Sequence, residues 1–187
     1  MNQIIGRCLT GHLEVLQKVT VSDLPQKLEQ CAACVEKALS DGHKVMFCGN
    51  GGSAADSQHM AAEFVGRFQK ERKGLPALAL TVDTSILTAV ANDYGYESVF
   101  ARQVQALGET GDVLIGISTS GNSKNVLLAI EEAKAKGITC VGMTAEAGGK
   151  MADVCDICLA VPTQVTARAQ EMHILMGHVL CELVDHE

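Results

Sequence analysis

Five short apolar runs punctuate the chain beyond residue 44, at residues 45–48, 77–82, 113–117, 139–143 and 157–161. They are apolar throughout rather than alternating. That pattern predicts strands buried on both faces of a sheet. The intervals between them carry helical spacing at residues 54–68, 84–91, 99–107 and 125–136, with a short helix near 148–154. A last helix is expected over 167–184. Strands alternating with helices imply a parallel sheet, so the expected fold class is α/β, a three-layer sandwich around a central parallel sheet of about five strands. Two further helices, 3–19 and 23–40, precede the first strand. Ser22-Asp23-Leu24-Pro25 reads as a cap followed by a first-turn proline, and Asp41-Gly42 as a helix stop. The whole chain, 1–187, is expected to form one domain, with 1–41 a helical extension packing on the core or on other subunits.

Composition narrows the classes. With 47% hydrophobic and 20% charged residues the chain can bury a sizeable core. Fifteen basic against 22 acidic residues leave a net charge of −7 and no basic stripe, so nucleic acid is not an expected partner. No run is long enough for a membrane span. The first twenty residues carry polar positions at helical intervals, unlike an export leader. A cytoplasmic, reducing location follows as the expectation. The eight cysteines include two CxxC pairs, Cys31/Cys34 and Cys155/Cys158, more than 100 residues apart. They are read as core thiols rather than a metal or redox site.

In a parallel sheet, ligands sit beyond the carboxyl ends of the strands. Two loops there carry chemistry. Cys48-Gly49-Asn50-Gly51-Gly52-Ser53 joins a strand to a helix. Glycines let the backbone approach a ligand, and free amides with the positive helix end favour a phosphate. No third glycine completes a dinucleotide fingerprint. The second loop, Gly116-Ile-Ser-Thr-Ser-Gly121-Asn122-Ser123, has Walker A spacing with Asn122 in place of the lysine. Nucleotide hydrolysis is therefore not expected. Ser118, Thr119, Ser120 and Ser123 exceed what capping requires and suit one terminal phosphate of a small molecule.

Two turns into the first of these helices stand His59 and Glu63, four residues apart and on one face. On the last helix, His178 is accompanied by Gln170, about 80° away around an ideal helix. Glu171 lies closer to His178 in angle, so spacing leaves the choice between Gln170 and Glu171 open. His173 is expected on the flank, and His12, His43 and His186 on the surface.

The glycine turn, His59-Met-Ala-Ala-Glu63-Phe-Val-Gly-Arg67-Phe68, Ala91-Asn92-Asp93-Tyr94-Gly95, the serine loop and Gln170 through His178 together resemble the phosphoheptose isomerases. These are enzymes of the sugar-isomerase (SIS) fold, which is flavodoxin-like. The resemblance spans essentially the whole chain. It departs at Gln164-Val165, where acidic residues are usual, and at Ala169, where isoleucine is usual. The resemblance implies conversion of D-sedoheptulose 7-phosphate to D-glycero-D-manno-heptose 7-phosphate by enediol proton transfer. That is the first step towards ADP-heptose and the lipopolysaccharide core. It also implies a cytoplasmic homotetramer with active sites at subunit interfaces. It assigns one zinc per subunit to His59, Glu63, Gln170 and His178, and makes Glu63 the base and His178 its acid/base partner. The substrate contacts it implies are Asn50, Gly51, Gly52, Ser53, Glu63, Asn92, Asp93, Ser118, Thr119, Ser120, Ser123 and Gln170. Two other readings are a non-catalytic relative that regulates replication through the bacterial initiator protein, and an isomerase of arabinose 5-phosphate. The first lacks counterparts of Glu63 and His178, and the second usually lacks the zinc set.

Overall fold

Each of the five apolar runs forms a strand, and helices fill the intervals. The computed structural model describes residues 2–146 and 148–186, the last of these by its backbone alone. Helices α1 (Gln3–Thr20) and α2 (Leu24–Ser40) lead into β1 (Val45–Gly49) and α3 (Gly52–Val65). Next come β2 (Ala77–Ala79), α4 (Thr84–Tyr94), a 3-10 turn (Tyr96–Ser98) and α5 (Ala101–Leu107). The chain continues through β3 (Val113–Ile117), α6 (Lys124–Ala135), β4 (Thr139–Ala145), α7 (Met151–Val154), β5 (Ile157–Val161) and α8 (Thr166–His186).

All strands run parallel in the order β2-β1-β3-β4-β5, with Val45 opposite Val113, Val113 opposite Thr139 and Val141 opposite Ile157. Successive side chains leave a strand on opposite faces. Val45 and Phe47 accordingly join one core, with residues of α1, α2, α3 and α8. Met46 and Cys48 join the other, with Val99, Phe100, Val104, Val126, Ile130 and Met151. The expected three layers result. The chain reverses its direction of strand addition between β1 and β3, which opens a crevice beyond their carboxyl ends. Both candidate loops leave the sheet there.

Several boundaries differ from expectation for local reasons. β2 stops at Ala79, because its pairing with β1 ends at Phe47 and the chain then turns at Leu80. α3 stops at Val65 rather than Phe68. Gly66 is its C-cap, and the Arg72 guanidinium takes up carbonyls of its last turn. At the start of α2 the hydroxyl of Ser22, not the side chain of Asp23, accepts the Leu24 N–H. Asp23 pairs with Lys27 instead. The expected proline in the first turn and Gly42 beyond the C-cap, at φ +88°, are both present.

Candidate active site

The glycine turn works through its backbone. Gly51, the N-cap of α3, has φ +58° and ψ −121°, a conformation for which only glycine is suited. Ser53 is buried in the first turn. A Cβ added at Gly52 would lie 2.5 Å from Nε2 of Gln170, so the Gln170 amide rests on the N-terminus of α3. Glu171 points elsewhere. Its carboxylate bonds His12 Nδ1 at 2.8 Å and Arg168 at 2.6 Å. Of the two, it is thus Gln170 that faces the start of α3. His12, expected on the surface, is half-exposed there and paired with Glu171. His43 is half-buried, 3.9 Å from Asp112. His186 lies outside the described side chains.

About two and three turns further along α3, His59 and Glu63 meet His178 of α8. The two Nε2 atoms stand 2.9 Å apart, and Glu63 Oε1 is 3.3 Å from His59 Nε2. The rings of His59 and His178 lie edge to face, and Phe68 stacks on His178 with ring centres 5.5 Å apart. The helices approach this closely because α8 has no side chain where it crosses Met60. A Cβ at Gly177 would lie 2.4 Å from the Met60 sulfur. Two imidazole nitrogens and a carboxylate oxygen within 4.8 Å of one another form a group able to hold a metal ion. Asp56, one turn before His59, has a buried Oδ2 with no hydrogen-bond partner among the described residues. Burial holds its carboxyl above the usual range, while the charge of His59 works the other way.

His173 does not lie on the flank of the site. It is buried on the core side of α8, with Nε2 3.0 Å from the Thr144 carbonyl at the end of β4. Burial lowers its pKa against the influence of that bond. The thiols are free, and burial pushes those of Cys31, Cys140, Cys155 and Cys181 up to about 12. Cys31, Cys140 and Cys181 are packed in the core.

At the end of β3 the serine loop gathers its hydroxyls. Ser118 Oγ is 2.8 Å from Ser123 Oγ and 3.3 Å from Ser120 Oγ. Ser123 occupies the N-cap of α6 without a side-chain capping bond, so its hydroxyl is turned to the loop. Thr119 is half-exposed beside it. The two loops are tied together. Asn50 and Asn125 exchange amide hydrogen bonds at 2.9 and 2.8 Å, and the Tyr96 hydroxyl donates to Asn50 Oδ1. Asn92 and Asp93 sit on the exposed last turn of α4, bonded to one another. Among the described residues, neither reaches the serine loop or the histidine cluster through a hydrogen bond.

A model of the SIS domain matches residues 11–145. A phosphoheptose isomerase of Akkermansia muciniphila is 57% identical over 186 residues, which cover 100% of this chain and 95% of that protein. The solved phosphoheptose isomerase of Neisseria gonorrhoeae superposes with a TM-score of 0.93 at 41% identity, over 99% of this chain and 98% of that one. The chain belongs to the phosphoheptose isomerase family. A second solved phosphoheptose isomerase, from Francisella tularensis, has a TM-score of 0.95 at 36% identity over 100% of both chains. In this member of the family, four residues that shape the crevice went unnoticed in the sequence: Asn125, Tyr96, Gly177 and Phe68. Each acts through a partner distant in the chain. Phe68 and Gly177 stand inside the quoted motifs, but spacing alone gives neither a partner.

Proposed function

We propose that the chain interconverts D-sedoheptulose 7-phosphate and D-glycero-D-manno-heptose 7-phosphate, as a cytoplasmic step towards ADP-heptose and the lipopolysaccharide core. The meeting of His59, Glu63 and His178 beside the glycine turn, in a chain of this family, carries the reading. Zinc suits the donor set, since two imidazoles favour it over magnesium. His59, Glu63, Gln170 and His178 would hold it, and it would supply Lewis-acid polarisation at the carbonyl end of the sugar.

The chain's own groups move the protons. The Glu63 carboxylate takes a proton from C1 of the ketose. The freed electron pair forms the C1=C2 bond, and O2 receives a proton from His178. His178 then recovers a proton from the C1 hydroxyl as the aldehyde forms, and Glu63 returns its proton to C2. Glu63 and His178 end as they began. The hydroxyls of Ser118, Thr119, Ser120 and Ser123 and the N-terminus of α6 grip the terminal phosphate. That remote grip orients the reacting end. Asn50, Gly51, Gly52, Ser53, Asn92, Asp93 and Gln170 complete the substrate contacts, within a homotetramer whose sites lie between subunits.

Proton NMR of the protein with sedoheptulose 7-phosphate in D₂O tests this. An aldoheptose phosphate should appear, vanish on chelation and return with zinc. No product, even with zinc added, would overturn the proposal. Product that persists through chelation would keep the isomerase and remove the metal.

A further inference from the structure

Arg72 lies outside the cluster, yet it spends its donors on the elements that carry it. Nε donates to Asp185 Oδ1 at 2.6 Å. One terminal nitrogen donates to the carbonyls of Phe64 at 2.9 Å and Gly66 at 3.4 Å, and the other to the carbonyl of Glu63 at 3.1 Å. These carbonyls belong to the C-terminal end of α3, which has no further helical amides to take them up. A guanidinium there also meets the negative end of the helix dipole. Asp185 lies two turns beyond His178 on α8. Its Oδ2 accepts from the amides of Gln69 and Lys70 at 3.0 and 3.2 Å. Burial works against its charge, but the bond from Arg72 and the two amides prevail and hold its carboxyl below the usual range. The side chains are 15% and 3% exposed, so the pair is largely shielded from solvent.

Three things are fastened at one point: the last turn of α3, which bears Glu63; α8, which bears His178; and the segment after α3, which lays Phe68 on the His178 ring. The crossing at Met60 and Gly177 brings the helices together, and the Arg72–Asp185 pair ties the C-terminal end of α3 to the last turns of α8. We propose that Arg72, held by Asp185, is a positioning residue that fixes the α3–α8 angle and with it the spacing of His59, Glu63 and His178. This rests on the reading of that cluster as the metal and proton-transfer site. The fork geometry requires arginine: a lysine ammonium cannot span three carbonyls and a carboxylate.

The test uses the full-length protein and its Arg72→Met, Arg72→Lys and Asp185→Asn variants. Zinc affinity is read by competition with a chromophoric chelator, alongside kcat, KM and melting temperature. Arg72→Met should weaken zinc binding by about ten- to a hundredfold, as supporting residues of metal ligands do. It should lower kcat with little change in KM, because the phosphate loop sits on other elements. Arg72→Lys should fail to restore either value. Asp185→Asn should shift both in the same direction and carries the test if Arg72→Met does not fold. Variants that melt lower but keep wild-type zinc affinity and kcat would overturn the proposal and leave the pair a stability clasp. Wild-type protein that binds no zinc would defeat the metal-site reading itself, and the positioning role with it.

Discussion

Glu63 has two demands on one carboxylate: it neighbours two imidazoles, and it is the group proposed to carry a proton between carbons. Replacing it by glutamine keeps its size and an oxygen that can face His59, but removes the base. General-base catalysis contributes about a hundred- to ten-thousand-fold, so kcat for Glu63→Gln should fall by that order while sugar phosphate still binds. Turnover by NMR with binding by calorimetry checks both halves, and undiminished turnover would remove Glu63 from the mechanism. The pair His59 and Glu63 was legible in the sequence because i, i+4 spacing on a helix puts two side chains on one face. That His178 joins them was not legible from spacing, since it comes from a helix 119 residues away. Family resemblance supplied the meeting, and the distances agree with it. Spacing also could not show where Glu171 spends its charge, on His12 and Arg168, while the Gln170 amide rests on the start of α3. Arg72 and Asp185 gave no local signal at all. One sits in a charged stretch and the other near the chain end, and only tertiary contact makes them partners.

At the scale of elements, the serine loop raises the question of capping against ligand binding. An N-cap serine normally bonds an amide of the first turn, and its loss costs about 1 kcal/mol. Ser123 makes no such bond and faces Ser118 instead. Ser123→Ala should therefore melt close to wild type yet raise KM for the sugar phosphate and weaken competition by inorganic phosphate. A melting temperature that drops while KM holds would return Ser123 to capping. The sheet itself is legible in the sequence. Fully apolar runs separated by helical spacing admit few arrangements other than a parallel sheet covered on both sides. Helix ends were less readable, because tertiary partners set them. α3 ends early at Val65, where Arg72 donates to its last carbonyls, and this frees Phe68 to cover His178. His173 was misplaced for a related reason. A helical wheel gives an angle but not which neighbour waits there, and here it is the Thr144 carbonyl of β4.

The whole molecule, taken as a single chain, leaves two things unfinished. The proposed site is open, with the His59 side chain 47% exposed, whereas enediol chemistry gains from a site closed to water. On α1, meanwhile, Ile4, Ile5, Leu9 and Leu13 stand 62, 53, 55 and 57% exposed, although the same helix buries Val15 and Val19 in the core. Apolar surface left in water forgoes about 25 cal/mol per Å², and three of these side chains, Ile5, Leu9 and Leu13, fall within about 80° around the helix and so share one face. A second apolar face lies along α8, where the exposed Leu175 and Val179 line a groove of about 250 Å³ floored by the buried Leu24 and Leu28 of α2. Association of copies through such faces would bury them and could close the crevice at once, in keeping with the proposed tetramer. The double substitution Leu9→Lys and Leu13→Lys should then yield a smaller particle by light scattering with unchanged helical content by circular dichroism, since neither side chain serves the chain's own core. Turnover should fall with the loss of assembly. A smaller particle with full turnover would mean that one chain completes its own site, and the placement of active sites between subunits would have to be abandoned. A variant that keeps the wild-type mass would move the interface to another face, with the α2–α8 groove the next to substitute.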